Sequence, residues 1–279
     1  MPELPEVETV RRGLAPVMES FTFVRVLLNR PNLRFPFGDD FIDRVQGQKL
    51  VRLSRRAKFM IAELGSGDRL FMHLGMSGRF TIDRDFRPGE FANDHSTNVK
   101  HDHVIFEMSS GHRVTYNDPR RFGFMELIKP GAPSRLDNLG PEPMSNQLSA
   151  PVLRASLKGK KNKIKTALLD QRIIAGLGNI YVCEALYRAR ISPKRAAGRL
   201  TVAETETLTG HIKNVIRDAI EAGGSSLKDF ANTDGNLGYF QHRFDVYDRE
   251  DEPCKVCDAP IHRIVQTGRS TFYCKACQG

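Results

Sequence analysis

The chain has 279 residues, 40% of them hydrophobic, so it is long enough to bury a sizeable core and to form two domains. Lysine and arginine outnumber aspartate and glutamate by 42 to 33, and the resulting charge of +9 at pH 7 favours polyanionic partners without identifying one. No apolar run reaches the roughly 20 residues that a transmembrane helix needs, and no secretory signal is recognisable. We therefore expect a cytoplasmic protein that does not bind membranes.

The first residues place a proline directly after the initiator methionine. Removal of Met1 would leave Pro2 with a free secondary amine, and an α-amino pKa of about 8 keeps a fraction of it unprotonated at neutral pH. Such an amine can attack an aldehyde-level carbon and form a cationic iminium, with the neighbouring Glu3 moving the proton. The alternative is that Pro2 is an ordinary first residue and that Pro5 merely occupies the first turn of a helix.

Residues 2–128 predict a short helix followed by strands. Val7, Val10 and Leu14 recur at helical spacing, which predicts an amphipathic helix that ends near Pro16. Beyond it, runs rich in β-branched and aromatic residues are separated by turn signals and favour an antiparallel β-sandwich. The five predicted strands are 23–27, 50–53, 59–62, 70–73 and 103–106.

A change of composition separates this region from a helical one. Residues 129–151 hold five prolines and two glycines with little apolar periodicity, which indicates a linker. Farther on, Thr201 and Glu204 have the form of a capping box and open a predicted amphipathic helix that stops at Gly223. Residues 225–245 show no clear period and predict a loop. The predicted boundaries are a sandwich domain at 1–130, a linker at 131–150, a helical domain at 151–244 and a cysteine module at 245–279.

Four cysteines near the C-terminus have the spacing of a metal site. Cys254 and Cys257 form one Cys-x2-Cys pair, and Cys274 and Cys277 form another after sixteen intervening residues. Four thiolates suit one tetrahedral Zn²⁺, and because no coordination position stays open, that ion would be structural. Two disulfides are the alternative, which a reducing compartment disfavours. The fifth cysteine, Cys183, lies in a predicted helix and is expected to be a small buried residue.

Between the two cysteine pairs, residues 262–266 and 270–273 predict two strands joined by a hairpin turn at 267–269. Arg269 would then stand at the tip of the hairpin. An exposed arginine is usually only solvated, but one that a metal module holds in place can bind a phosphate with its planar fork.

Positive charge is concentrated at residues 52–58, 158–165 and 188–199, and such runs are by default solvated surfaces. The second run contains Lys160 and precedes Gly176-Leu177-Gly178-Asn179, a glycine-bearing loop that opens a predicted helix. Backbone N–H groups at a helix start bind phosphate oxygens. This pair of features is therefore a candidate site for a nucleic-acid backbone, which supplies affinity without sequence information.

Residues 2–14 resemble the opening of the formamidopyrimidine-DNA glycosylase family, and other motifs follow in the order found in that family. They are residues 73–78, residues 117–123, the lysine run with Asn179, and the four-cysteine module. The resemblance implies a multidomain α+β fold with an N-terminal antiparallel β-sandwich, a helix–two-turn–helix domain and a zinc-ribbon hairpin. It also implies excision of oxidised purines from duplex DNA, followed by cleavage of the abasic strand.

The resemblance implies a role for each matched residue. Pro2 would attack C1′ of the damaged nucleoside, Glu3 would protonate the opening sugar, and Lys58 and Arg269 would assist the eliminations. An enzyme of this kind flips the nucleotide out of the stack and fills the gap. The implied DNA contacts are the gap-filling Met76, Arg120 and Phe122, together with His101, Arg121, Lys160 and Asn179.

The residues alone leave other interpretations open. Met76 and Phe122 are equally compatible with a hydrophobic core, and Lys58 with an ordinary edge-strand lysine. A metal site at His101 and His103 is rejected, because two imidazoles on one face of a strand are too few ligands.

We expect a monomer that binds one structural Zn²⁺ and duplex DNA containing oxidised bases. The alternatives are an endonuclease VIII-type enzyme for oxidised pyrimidines and a zinc-ribbon protein that binds damaged DNA without catalysis.

Overall fold

The computed structural model describes residues 2–83, 98–225 and 239–279. These residues form two compact units. The first contains residues 2–134 and 223–225, and the second contains residues 135–222 and 239–279. Within the described ranges, the structure has no helix with the length and apolar character needed to cross a membrane.

The first unit begins with helix α1, Leu4–Met18, which carries the predicted apolar stripe. Its buried face consists of Leu4, Val7, Val10, Leu14 and Met18, and none of these side chains is more than 1% exposed. The helix continues two residues beyond its predicted end at Pro16. It does so because Met18 is buried and the N–H of Glu19 donates to the carbonyl oxygen of Ala15 at 2.9 Å.

Two four-stranded antiparallel sheets follow α1, so the predicted antiparallel β-sandwich is confirmed. In spatial order, one sheet contains β2 (Leu50–Arg56), β3 (Phe59–Leu64), β4 (Arg69–His73) and β8 (Phe124–Ile128). The other contains β1 (Phe23–Leu28), β6 (Asp102–Met108), β7 (Arg113–Asn117) and β5 (Arg79–Asp83).

The sequence did not predict β5, β7, β8 or the short helix α2, Phe41–Val45. Each of these elements is only five residues long, which is too short for a hydrophobic period to be recognised from sequence alone. The five predicted strands each lie within one observed strand. The side chains of α1 and of both sheets form one hydrophobic cluster, which is the core of the first unit.

The second unit contains the remaining helices and the cysteine ribbon. Its elements are α3 (Ala150–Leu157), α4 (Ile164–Leu168), α5 (Asn179–Arg188), α6 (Val202–Glu221), β9 (Ile261–Gln266) and β10 (Arg269–Cys274). The capping box of α6 is confirmed, because Thr201 Oγ1 accepts from the N–H of Glu204 and Glu204 Oε2 accepts from the N–H of Thr201.

Two predicted irregular segments differ in outcome. Residues 129–149 contain neither helix nor strand, as expected of a linker. The predicted loop at 225–245 lies largely in 226–238, outside the described residues. Its final part is more regular than predicted, since Phe240–Arg243 form a 3₁₀ turn. The predicted domain boundaries stay predictions.

Helix α5 and the ribbon share one hydrophobic cluster, which includes Tyr187, Val246 and Phe272. The entry into the ribbon is also held by Glu184 on α5, whose side chain is fully buried. Its carboxylate accepts the backbone N–H groups of residues 245, 246 and 247 at 2.8–3.0 Å. Burial raises the pKa of Glu184, although these three donors act in the opposite direction. The ribbon is therefore anchored to α5 by apolar packing and by a buried carboxylate.

Helix α1 is joined to strand β2 by a partly buried cluster around Glu8. The Glu8 carboxylate accepts hydrogen bonds from Arg11 and Arg12 on the same helix and from Arg55 on β2, at 2.8–3.2 Å. Burial alone would raise the pKa of Glu8, but the hydrogen bonds and charges of the arginines outweigh it and lower the pKa below its ordinary 4.5. The ionised form of Glu8 therefore stabilises the folded state.

Glu8→Gln is expected to lower the free energy of unfolding at pH 7 by about 1–3 kcal/mol, because three arginines lose a charged acceptor. Since the folded-state pKa is lowered, this stabilisation is complete above the ordinary pKa of 4.5 and is lost as pH falls through the lower folded-state value. Urea unfolding of the wild-type protein and of Glu8→Gln, from pH 7 down to below pH 4.5, measures the difference in the free energy of unfolding. Glu206→Gln, which changes an exposed glutamate of α6, is the control. If Glu8→Gln and Glu206→Gln were equally stable at pH 7, ionised Glu8 would not stabilise the folded state.

Candidate active site and nucleic-acid interface

Pro2 and Glu3 lie at the buried start of α1. Glu3 caps the helix, is only 2% exposed, and its N–H donates to Glu6 Oε2 at 2.8 Å. Pro5 occupies the first turn, where a missing N–H breaks no helical hydrogen bond. Pro2, which the sequence analysis singled out, is buried and lies directly before this helix start.

Glu6 is a structural residue of this site that the sequence reasoning missed. Its side chain is 1% exposed, and Oε1 accepts from both the N–H and the hydroxyl of Ser225, at 2.8 and 2.9 Å. Gly224 approaches so closely that a Cβ there would lie 3.2 Å from the Glu6 side chain. The signal was present, because a glutamate at the third position of a helix commonly completes a capping box. Glu6 joins the helix start to a segment more than 200 residues away in sequence.

Lys58 lies in the two-residue turn between β2 and β3, so its interpretation as an edge-strand lysine is wrong. The preceding residue, Ala57, has φ of +53°, and its carbonyl oxygen accepts from Arg55 Nη1 at 2.9 Å. Arg55 also pairs with Glu8 of α1. The turn is thereby tied to α1, which packs against β2 and β3, while Lys58 itself is 8% exposed.

Two loops of the first unit carry the predicted gap-filling residues, and we call residues 74–78 and 117–123 the plug loops. Arg120 and Arg121 are exposed, and Phe122 is 44% exposed, so the interpretation of Phe122 as a core residue is wrong. The Arg120 guanidinium lies over the Phe122 ring, 4.8 Å from its centroid, which is a cation–π arrangement. Met76 is half-buried. The plug loops therefore present an apolar wedge beside a guanidinium.

The two histidines near the second plug loop have different environments. His101 ends the 3₁₀ turn Val99–His101 and is half-buried, whereas His103 lies on β6 and is 1% exposed. They do not share a strand as predicted, because β6 begins at Asp102. His103 Nε2 lies 2.9 Å from the carbonyl oxygen of Asp118. Of the two, His101 is the one with surface available for a ligand.

In the second unit, α5 begins at Asn179 after Gly178, as the glycine motif predicted. The Asn179 side chain is turned inward, and its Nδ2 donates to the carbonyl oxygen of Ser270 at 3.0 Å. Lys160, the residue of the 158–165 lysine run that is predicted to contact DNA, is half-buried in the connection between α3 and α4. Its carbonyl oxygen accepts from the N–H of Gly198 at 2.9 Å, which fixes the backbone that carries the run.

The ribbon hairpin places Arg269 next to a tight turn. Thr267 and Gly268 both have positive φ and form a two-residue turn, so Arg269 is not in the turn as predicted but begins β10 opposite Gln266. The predicted three-residue turn was one residue too long because the sequence does not reveal where strand pairing starts. Arg269 remains exposed at the end of the hairpin.

Lys165 hydrogen-bonds to strand β10 of this hairpin, and the sequence analysis did not predict it. It is fully buried, and its Nζ donates to the carbonyl oxygen of Ser270 at 2.9 Å and to Thr271 Oγ1 at 2.7 Å. A neighbouring contact of 3.1 Å joins the hydroxyls of Thr166 and Thr267. A buried lysine requires such partners because an uncompensated charge in the interior is costly. In sequence, Lys165 is indistinguishable from its exposed neighbours in the lysine run.

The four cysteines of the ribbon come together as predicted. Their sulfur atoms all lie within 4.8 Å of one another, with pairs at 3.4, 3.5 and 3.9 Å. Four thiolates around a tetrahedral ion with metal–sulfur bonds of about 2.3 Å would be about 3.8 Å apart, so the group has the size of a metal site. None of them is in a disulfide. Cys183 is buried on α5 and does not belong to the group of four, as expected.

Three family models match the chain in succession. They describe the formamidopyrimidine-DNA glycosylase N-terminal domain at residues 1–125, the H2TH domain of the same glycosylase at 139–231, and a zinc finger found in FPG and IleRS at 251–279.

Relatives and solved structures agree with these matches over the full length. Formamidopyrimidine-DNA glycosylases of Ruegeria pomeroyi and Rhodopseudomonas palustris are 55% and 54% identical, and each alignment covers 100% of both chains. The MutM (FPG) structure from Thermus thermophilus has a TM-score of 0.86 at 37% identity, covering 100% of this chain and 99% of that chain. The Lactococcus lactis FPG complex with abasic-site DNA has a TM-score of 0.87 at 33% identity and covers 100% of both.

A β-sandwich that opens with a capped Pro-Glu start, followed by a helical unit with a four-cysteine ribbon, defines a three-module DNA-repair glycosylase. The chain belongs to the formamidopyrimidine-DNA glycosylase family. The predicted family and fold class are therefore confirmed. The individual roles of the predicted site residues stay predictions.

Lys165→Met is expected to loosen the Arg269 hairpin, because Thr271 and the carbonyl oxygen of Ser270 both lose a buried charged donor. Hydrogen exchange of the β9 and β10 amides should become faster by about tenfold or more. Lys163→Met, which alters an exposed lysine two residues earlier, is the matched control and should leave exchange unchanged. Equal protection in both variants would show that Lys165 does not hold the hairpin.

Proposed function

We propose that this protein excises oxidised purines, such as 8-oxoguanine and formamidopyrimidines, from duplex DNA and then cleaves the abasic strand. The observation that carries the proposal is the capped start of α1, where Pro2 and Glu3 directly precede a helix fixed by Glu6. Full-length similarity to the glycosylases of Ruegeria and Rhodopseudomonas supports it. So does the similarity to a Lactococcus lactis FPG mutant in complex with Fapy-dG DNA, which has a TM-score of 0.88 at 33% identity and covers 99% of both chains.

The proposed reaction begins with attack of the Pro2 nitrogen on C1′ of the damaged nucleoside. The bond from C1′ to the base breaks, the base leaves with the electron pair, and Glu3 protonates the sugar ring oxygen as the ring opens. The product is an iminium joining Pro2 to C1′, which acts as an electron sink. Loss of the 2′ proton expels the 3′ phosphate, and loss of the 4′ proton then expels the 5′ phosphate. Lys58 and Arg269 assist these two eliminations.

Access to C1′ requires that the nucleotide leave the base stack. In the proposal, Phe122 and Met76 occupy the space it vacates, and Arg120 hydrogen-bonds the base that has lost its partner. The exposure of Phe122 and the guanidinium above its ring suit this role, because a wedge must reach out of the protein surface. His101, Arg121, Lys160 and Asn179 contribute contacts to the DNA strand, which set affinity more than lesion choice.

The metal of the ribbon is proposed to be one Zn²⁺ held by Cys254, Cys257, Cys274 and Cys277. The spacing of the four sulfur atoms and the all-thiolate donor set suit that ion. With four protein ligands it has a structural role and takes no chemical part. The four cysteines stabilise the ribbon, and Arg269 lies at the opposite end of its hairpin.

Borohydride reduction in the presence of a duplex containing 8-oxoguanine is expected to trap a covalent adduct at Pro2, because reduction converts the iminium into a stable amine. Peptide mass spectrometry locates the adduct. Pro2→Gly should remove most of it, and Glu3→Gln should slow base release by about 10²–10⁴-fold through loss of general acid–base help. Pro16→Ala, which changes an exposed proline at the other end of α1, is the matched control.

The same experiment distinguishes the other functions. Preferential trapping with oxidised pyrimidines would assign the protein to the endonuclease VIII type, and binding without any adduct would make it a non-catalytic damage binder. An adduct on a protein that retains Met1 would overturn the role of the Pro2 nitrogen.

Metal analysis by mass spectrometry is expected to find one zinc per chain. Cys257→Ser should lower that content, because a hydroxyl is a far poorer zinc ligand than a thiolate. Cys183→Ala alters the one cysteine outside the group and should leave the zinc content at the wild-type level. Zinc loss in both variants, or in neither, would contradict the assignment of the four ligands.

A further inference from the structure

We infer that Asp118 is a positioning residue for base excision: its buried carboxylate joins the two plug loops, so that Met76, Arg120 and Phe122 are held as one unit. The inference rests on the proposed function, because it concerns how the gap-filling residues are kept in place. It goes beyond that function in assigning a role to a residue that has no surface from which to touch DNA, since Asp118 is 0% exposed.

Asp118 receives donors from both plug loops. Its Oδ1 accepts from Ser77 Oγ, in the first loop, at 2.5 Å. Its Oδ2 accepts from the N–H of Gly123, at the end of the second loop, at 2.8 Å, and from the hydroxyl of Tyr116 at 3.3 Å. Hydrogen bonds to an ionised acceptor are shorter and stronger than neutral ones. A single carboxylate therefore connects two loops that lie about 40 residues apart in sequence.

A second connection runs through Ser77. Its hydroxyl donates its only proton to Asp118, and its oxygen then accepts from the backbone N–H of Arg120 at 3.2 Å. The carbonyl oxygen of Asp118 accepts from the N–H of Arg121 at 3.2 Å, which closes the turn of the second loop. The backbone on which the Arg120 side chain stands is thus bonded to the first loop and to Asp118.

The loops also touch without any side chain between them. A Cβ at Gly75 would lie 2.3 Å from the backbone of Phe122 and Gly123, so only glycine permits this approach. A Cβ at Gly78 or at Gly123 would lie 2.2 or 1.7 Å from the Tyr116 hydroxyl. The hydroxyl therefore occupies a slot between the two loops. Burial first, and then the Asp118 charge, raise the pKa of Tyr116 well above its usual value, which keeps the hydroxyl protonated as a donor.

The exposed side chains of the second plug loop do not fix the conformation of that loop. Phe122 is 44% exposed, and Arg121 has φ of +54°, a left-handed conformation that disfavours a residue with a side chain. Such a backbone persists only where its surroundings determine it. Since the exposed side chains gain little from packing, the buried layer of Asp118, Ser77 and Tyr116 is what determines it. Loss of one of these three side chains should therefore disturb the plug loops more than it disturbs the β-sandwich.

The test compares two substrates that differ in their need for a plug. One is a duplex with 8-oxoguanine opposite cytosine, and the other is a single strand with an abasic site, which has neither a base to flip nor a partner base to hold. Asp118→Ala is expected to slow excision from the duplex by at least about tenfold, since three donors lose their buried acceptor. Cleavage of the single strand should stay within about twofold of wild type. Discrimination between cytosine and adenine opposite the lesion should also fall, because Arg120 is less well placed.

Glu107→Gln is the matched control. Glu107 is a buried carboxylate on β6 that pairs with Arg113 of β7 at 3.2 Å, so its loss tests general destabilisation of this sheet. It should affect the two substrates equally. Tyr116→Phe removes one donor to Asp118, and Ser77→Ala removes one donor together with the acceptor of the Arg120 N–H, but both variants keep the carboxylate. They should slow duplex excision alone by about threefold, and they replace Asp118→Ala if that variant does not fold.

Two outcomes would overturn the inference on its own: an Asp118→Ala protein that excises from duplex at the wild-type rate, or one that loses activity on both substrates equally. If Asp118→Ala does not fold, unchanged duplex excision by both Tyr116→Phe and Ser77→Ala would do the same. A wild-type protein that excises no oxidised purine would instead overturn the proposed function, and this inference with it. Selective loss on the duplex, together with weaker discrimination of the opposite base, supports the inference.

Discussion

The structure depends on how the start of α1 is held. Pro2 is the nucleophile of the proposed reaction, and the residues that follow it on α1 give it order. Leu4 and Val7 are buried in the core, and the Glu6 carboxylate accepts the N–H of Glu3 while it also binds Ser225. One side chain thereby caps the helix and ties it to a distant segment. Without this bond, apolar packing would fix the axis of the helix but not the direction in which its first residues leave it.

The same physical solution recurs at Asp118 and Glu184. Each is a fully buried carboxylate that is bonded to a segment distant in sequence, and each accepts backbone N–H groups. A loop that must expose its functional side chains cannot be held by burying them, so its backbone has to be bonded instead. Desolvation of a carboxylate is costly, but two or three donors offset that cost and make the bonded geometry specific. Buried acids are therefore expected beneath loops that carry exposed functional residues.

The sequence predicted those features that are encoded locally. The stripe of α1, the capping box of Thr201 and the paired cysteine spacing each depend on residues close together in the chain, and all three were found in the structure. The strands β5, β7 and β8 were missed because five residues offer too few positions for a strand pattern to be distinguished from a loop. Asp118 and Lys165 were missed for a related reason: in sequence they resemble surface charges, and only tertiary contacts show that they are buried. The resemblance to a family, rather than periodicity, predicted Phe122 as a gap-filling residue.

The ribbon shows why a structural metal alone does not place Arg269. A module of fewer than about 40 residues has too little core to be stable by itself and usually needs a metal or a partner surface. Here the four cysteines are at one end of the hairpin, and Arg269 begins β10 at the other. The end with Arg269 is held by Lys165 through Ser270 and Thr271, and the entry to the ribbon is held by Glu184. The metal can therefore stabilise the fold of the ribbon, but Lys165 on α4 and Glu184 on α5 determine the position of Arg269.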